Sequence, residues 1–140
     1  IVGREGRTLR DKWQQEGTKT FLGLHSKGFP NLFVISGPQG GGGSFNFTNA
    51  IEEHADYVVW MLDTMRKQGS DLVDVKSEYE EHYAEHCRSA DELTRPLRDC
   101  ITYYNGHGEA EPGSLAYYGG GAWHKYRTQA QTTLEPFIFE

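Results

Sequence analysis

LFVISGPQGGGGSFNFTNAIEEHADYVVWMLDTMRKQG, residues 32–69, decides how the chain is read, because an apolar run, a glycine loop and an amphipathic helix follow one another directly. Leu32 to Ile35 is continuously apolar, the pattern of a strand buried on both faces. It breaks off at Gly37-Pro38-Gln39, and Gly40 to Gly43 with Ser44 follow. Beyond them Ile51, Ala55, Val58, Leu62 and Met65 recur at spacings of four, three, four and three, one apolar stripe of a helix predicted over about 49–68. Asn49 with Glu52 resembles a capping box, and Glu52 and Glu53 fall in the positive first turn. Arg66, Lys67 and Gly69 close the other end. A glycine loop lets a ligand approach backbone N–H groups, and a helix start offers unpaired donors to an electron-rich group. The same pattern also describes a plain surface loop.

Working outward, Phe21 to Leu24 is a second short apolar run, separated from the first by the turn signals Lys27-Gly28 and Pro30-Asn31. Residues 3–13, GREGRTLRDKW, read as a turn feeding a short helix near Thr8. A second long helix is predicted from Val75 to about Ala90. Val75, Tyr79, Tyr83, Cys87 and Ala90 share one face, and Glu78, Glu80, Glu81 and Glu85 point to a solvated one. Pro96 interrupts what continues from there. The stretch from Ile101 is aromatic, glycine-rich and aperiodic, and reads as ordered loop. A last helix from about Trp123 to Leu134 and an extended tail from Pro136 to Phe139 complete the chain.

Composition removes several classes. With 14 Lys and Arg against 20 Asp and Glu, the 140 residues carry a net charge of −6 and no clustered basic face, which argues against nucleic-acid binding. No window approaches the roughly 18–20 consecutive apolar residues of a membrane helix. Leu, Ile, Val and Phe make up only 28 residues, a modest core, and the two glycine clusters, Gly40 to Gly43 and Gly119 to Gly121, suit part of something larger. Cys87 and Cys100 make neither a disulfide framework nor a zinc pattern, so a reducing, cytoplasmic setting is expected.

Specific chemistry is sparse. The glycine loop is not followed by Gly-Lys-Ser/Thr, nor does it give G-x-G-x-x-G opening a helix. His82 and His86 stand four apart, but Tyr83 replaces the Glu of H-E-x-x-H, and no metal site is assigned. Cys100 has no evident base, and His107, between two glycines, has no assigned role. No catalytic residue is nominated.

LGLHSKGFPNLFVISGPQ (residues 22–39), with Ile51-Glu52-Glu53-His54 beginning thirteen positions after Pro38, resembles the C-terminal part of type I Baeyer-Villiger monooxygenases. Residues 3–13 with Thr20 to Leu24, and the tail RPLRDCITYYNGHGEAEPGSLAYYGGGAWHKYR (residues 95–127), resemble neighbouring parts of that family, most closely its branch for large cyclic or polycyclic ketones. The resemblance implies an α/β fold: the C-terminal portion of a flavoprotein with two dinucleotide-binding domains, comprising the last FAD-domain strand at Leu32 to Ile35, a long helix, and a helical, loop-rich tail. Residues 1–68 would complete the FAD-binding domain, and 69–140 would form an extension lining the cofactor and substrate site.

The resemblance further implies FAD and NADPH as cofactors, and insertion of oxygen from O2 into a bulky cyclic ketone to give an ester or lactone. Gly37, Pro38, Gln39, Asn46, Phe47 and Tyr103 would meet the cofactors, Tyr103 standing where relatives often carry a Trp. Gly42, Gly43, Ser44 and Phe45 would line the ketone pocket. The family's glycine fingerprints, its His and Trp-Pro motif and its flavin-side Arg are absent from this sequence. These 140 residues are therefore expected to need the rest of the flavoenzyme for catalysis. The other reading is a non-catalytic module, derived from the same family, that binds a small ligand or a protein.

Overall fold

The computed structural model describes residues 1–40, 46–90, 101–102, 107, 109 and 120–140. Helix α1 (Leu9–Glu16) starts where its sequence signals place it: the Thr8 hydroxyl accepts the Asp11 N–H at 3.1 Å, and the acid sits in the positive first turn. Gly17, with φ of 79°, ends it.

Helix α2 (Phe47–Gln68) begins two residues earlier than expected. Asn46, not Asn49, is the cap, its side-chain oxygen accepting the Thr48 N–H at 2.9 Å. The first turn therefore holds no acid, since Glu52 and Glu53 lie beyond it. At the far end Gly69 turns left-handed (φ 67°) and donates to the carbonyls of Arg66 and Met65.

The buried face of α2 also differs from the expected stripe. Ala50, His54, Tyr57, Met61, Thr64 and Met65 face the interior, while Ile51, Ala55 and Leu62 are exposed. The two stripes have the same spacing and lie side by side on the helix, so periodicity alone cannot choose between them. Interior partners decide, because His54 is hydrogen-bonded to Ser36 and Gly40 and Tyr57 to His25, all outside the helix.

Leu32 to Ile35 runs without ladder partners among the described residues. Its one backbone bond to another segment is from the Val34 N–H to the Leu24 carbonyl at 2.9 Å, and left-handed residues bracket it at Asn31 (φ 58°) and Ser36 (φ 55°). A strand exists only where a neighbouring strand takes its hydrogen bonds, and no described segment offers that edge.

The sheet present is a different one. Strands β1 (Val73–Val75) and β2 (Phe137–Phe139) pair antiparallel, Val73 opposite Phe139 and Val75 opposite Phe137. The tail is extended as expected, whereas Val75 belongs to β1, a three-residue strand with no signal of its own. Helix α3 (Ser77–Ser89) follows, and helix α4 (Gly120–Thr133) precedes β2.

Phe21, Leu22, Leu24, Tyr57, Met61, Val73, Val75, Tyr83, Cys87, Trp123, Ala130 and Phe137 form one buried cluster, so residues on both sides of position 68 share a core. The Phe21 ring meets Tyr83 and Phe137 edge-on at 5.7 and 6.0 Å. Burial pushes the Cys87 thiol up to about 12, which makes it packing rather than a nucleophile.

One expectation for α3 is corrected. Glu80 is not on the solvated face but buried, both carboxylate oxygens 2.7 Å from Lys12 Nζ on α1. Ser26 Oγ accepts from the same ammonium at 2.9 Å, and the Lys27 N–H donates to the carboxylate at 2.8 Å. Burial lowers the Lys12 pKa and raises that of Glu80, with their mutual attraction opposing both shifts. No helix among the described residues is long and apolar enough to cross a membrane.

Candidate functional site

The segment from Ser36 to Gly40 is irregular backbone. Three elements hold it. From the 20–25 turn, the Thr20 N–H donates to Gln39 Oε1 at 3.0 Å, and the Thr20 hydroxyl lies 2.9 Å from the Pro38 carbonyl. From α3, the Tyr83 hydroxyl donates to the Gln39 carbonyl at 2.7 Å.

From α2 comes a two-point clamp. The Ser36 N–H donates to His54 Nδ1 at 3.0 Å, and His54 Nε2 lies 3.2 Å from the Gly40 carbonyl. An amide N–H can only donate and a carbonyl can only accept, so the ring must carry its proton on Nε2 and be neutral. Burial lowers the His54 pKa in the same sense.

Glycine sets how closely the pieces approach. A Cβ at Gly23 would stand 2.2 Å from the Gly40 Cα, and one at Gly37 would stand 2.4 Å from the Gly23 carbonyl. Two stretches of backbone are thus in direct contact, which only residues without side chains permit. Behind His54 lies Trp123 of α4, with ring centres 5.2 Å apart, its indole N–H donating to the Leu22 carbonyl at 2.9 Å. The Arg127 guanidinium lies over that indole, 5.1 Å from its centre, and pairs with Glu53.

The nominated residues separate into three groups. Gly37 and Pro38 are half-buried at the turn, with part of their surface open. Gln39 is fully buried, its side chain and carbonyl both engaged inside, so it shapes the turn from within. Asn46 and Phe47 stand exposed at the start of α2. Gly42, Gly43, Ser44, Phe45 and Tyr103 lie outside the described residues, as does Cys100.

Thr20, Gly23, His54, Tyr83 and Trp123 were not singled out as site residues from the sequence. Tyr83 and His54 carried a signal, Tyr83 on the apolar 79-83-87 face and His54 on the 50-54-57-61 face of their helices.

A second histidine makes a measurable pH dependence. His25 Nε2 lies 3.0 Å from the Tyr57 hydroxyl, and complete burial pulls its pKa down from 6.5 to about 3. A depressed histidine contributes stability that is whole above the unfolded value and is lost as pH falls from about 6.5 toward about 3. The loss reaches the order of 3 kcal/mol at pH 4. Urea unfolding between pH 7 and 4 measures it, and His25→Gln is expected to flatten the profile. An unchanged slope in that variant would assign the loss elsewhere.

No protein-family model matches the sequence. The chain is 33% identical over 131 residues to a Baeyer-Villiger monooxygenase of Penicillium patulum, covering 88% of this chain and 21% of that protein. It is 39% identical over 87 residues to the polycyclic ketone monooxygenase of Thermothelomyces thermophilus, covering 60% of this chain and 13% of that one. Among solved structures, an oxidized steroid monooxygenase bound to NADP superimposes with a TM-score of 0.84 at 28% identity, over 99% of this chain and 26% of that one. The chain spans about a fifth of the length of the curated relatives that match most of it.

Proposed function

Because the chain is homologous to a segment of the Baeyer-Villiger monooxygenases, we propose that it serves as the cofactor-loop and substrate-side segment of an FAD- and NADPH-dependent ketone monooxygenase. The observation that carries this reading is the pairing of a hydrogen-bonded turn with an open helix start. Ser36 to Gly40 is clamped by His54, and a few residues on, α2 presents exposed Asn46 to Asn49 with no acid in its first turn.

Those residues fit a flavin. An exposed helix start without a neutralising carboxylate keeps its partial positive charge for an electron-rich ring edge. Gly37 and Pro38 offer backbone at which a flat ring can lie, and Asn46 and Phe47 offer N–H donors and an aromatic face. When bound, FAD and NADPH supply the reducing and oxygen-transferring chemistry that converts a ketone to an ester or lactone. The chain's part is to orient the ring and stabilise charge that develops on it.

Gly42, Gly43, Ser44 and Phe45 are proposed to line the ketone pocket and Tyr103 to reach toward the nicotinamide. Residues 1–68 then complete the FAD-binding part and 69–140 the extension, in a cytoplasmic enzyme that takes a bulky cyclic ketone and O2.

The test is a chimaera in which this chain replaces the corresponding segment of the Thermothelomyces polycyclic ketone monooxygenase. It is expected to retain FAD and to oxidise a cyclic ketone with NADPH. His54→Ala leaves the Gly40 carbonyl and Ser36 N–H without their buried partner, and is expected to weaken FAD retention about tenfold, the equivalent of about 1.4 kcal/mol. A folded chimaera that holds no FAD would reject the reading. Unchanged FAD affinity in His54→Ala would remove the clamp from it.

A further inference from the structure

We infer that the outer apolar stripe of α2 is a docking surface for the rest of the flavoenzyme polypeptide, an inference that rests on the proposed function. Phe47, Ile51, Ala55, Val58, Val59 and Leu62 fall within an arc of roughly 120° on the helix, at 100° per residue. Phe47 is 61% exposed, Ile51 38%, Val59 60% and Leu62 49%. Glu52, Asp56, Asp63 and Lys67 occupy the next arc, so the helix has a separate polar side for water.

The spacing of Ile51, Ala55, Val58 and Leu62 is that of a buried face. In this chain the neighbouring stripe, from Ala50 to Met65, is the buried one. Two adjacent stripes of one helix, one filled from within this chain and one open, describe an element packed between two bodies.

Two observations and the proposed cofactor edge name the occupant. The solved relatives match nearly all of this chain and are about four times as long, so most of their polypeptide lies outside the matched region. The stripe begins at Phe47, beside the proposed cofactor edge, so a body that shares the cofactor adjoins it. Ile35, next to the clamped Ser36, is also 44% exposed, a further apolar side chain left open to a neighbour.

The experiment uses the chimaera described above with a protease site at its junctions. After cleavage, this chain is expected to co-elute with the remainder on size exclusion, and Ile51→Glu with Leu62→Glu to release it. Lys67→Glu, on the polar arc, is expected to leave the complex intact. In the isolated chain the same double substitution is expected to move the melting temperature by less than about 2 °C, because both side chains already meet water. A double-variant chimaera that fails to fold, while the isolated variant melts like the parent, also supports the surface.

Co-elution that survives the double substitution overturns the inference. So does a homodimer of the isolated chain that the substitutions abolish and the remainder does not displace. Co-elution without ketone oxidation would reject the proposed function and leave the docking surface standing. An active uncut chimaera whose pieces part freely on cleavage would do the reverse.

Discussion

Gly23→Ala is expected to lower the stability of the chain by about 3 kcal/mol or more and to displace the Ser36 to Gly40 turn. Gly23 has a φ of 71°, where an alanine is strained by about 1 kcal/mol. The larger effect is steric. The new Cβ would stand 2.2 Å from the Gly40 Cα and 2.4 Å from its nitrogen, and backbone atoms cannot rotate aside as a side chain can. The two segments must separate, which strains the His54 bond to Gly40 and the Thr20 bonds to Pro38 and Gln39.

Gly69→Ala is the internal control. Its φ is 67°, but a Cβ there meets nothing within 4 Å, so only the backbone strain remains, about 1 kcal/mol. Urea unfolding of the two variants should therefore differ by about 2 kcal/mol or more. Equal losses would mean that the contact between the two backbones is not a constraint on the fold.

Glu80→Ala is expected to be comparably severe, about 3–5 kcal/mol, because it leaves the Lys12 ammonium buried with Ser26 Oγ as its remaining neutral acceptor. Lys12→Met leaves a buried carboxylate supported by the Lys27 N–H. The two single variants differ in pH response. Burial already raises the Glu80 pKa, and removing the cation raises it further. A raised carboxyl favours the folded state below its ordinary value of 4.5 and loses that advantage as pH rises through the folded value. The deficit of Lys12→Met relative to the parent should therefore shrink on acidification.

Lys12→Met combined with Glu80→Leu removes both charges together, and is expected to recover most of the loss of either single change. A double variant as unstable as the sum of the singles would show that α1 and α3 are joined by packing at this point and not by the charge pair.

Local elements were legible because their signals are local. The turn of residues 3–6 placed the start of α1 near Thr8, Gly69 marked the end of α2, and the 75–90 periodicity the helix α3, in each case through groups within a few turns. The resemblance carried by residues 22–39 and the Ile51 to His54 stretch likewise agreed with relatives matched over most of the chain. Legibility failed where two local choices were equivalent. Asn46 and Asn49 are both good caps, and the two apolar stripes of α2 have identical spacing. Glu80 has the same sequence neighbourhood as three solvated glutamates and is buried only because Lys12, 68 residues away, meets it.

By itself, then, the sequence determined which segments are helical, where the apolar run breaks off and which family of proteins the chain resembles. All of these rest on short-range sterics, on hydrogen bonds within a few residues, or on the order of residue types. The tertiary structure alone decided which face of α2 turns inward, that Val73–Val75 pairs with Phe137–Phe139, and that His54 is the clamp of the turn. Those outcomes depend on which buried polar groups find partners across the core. A one-dimensional pattern of residue types does not contain that pairing.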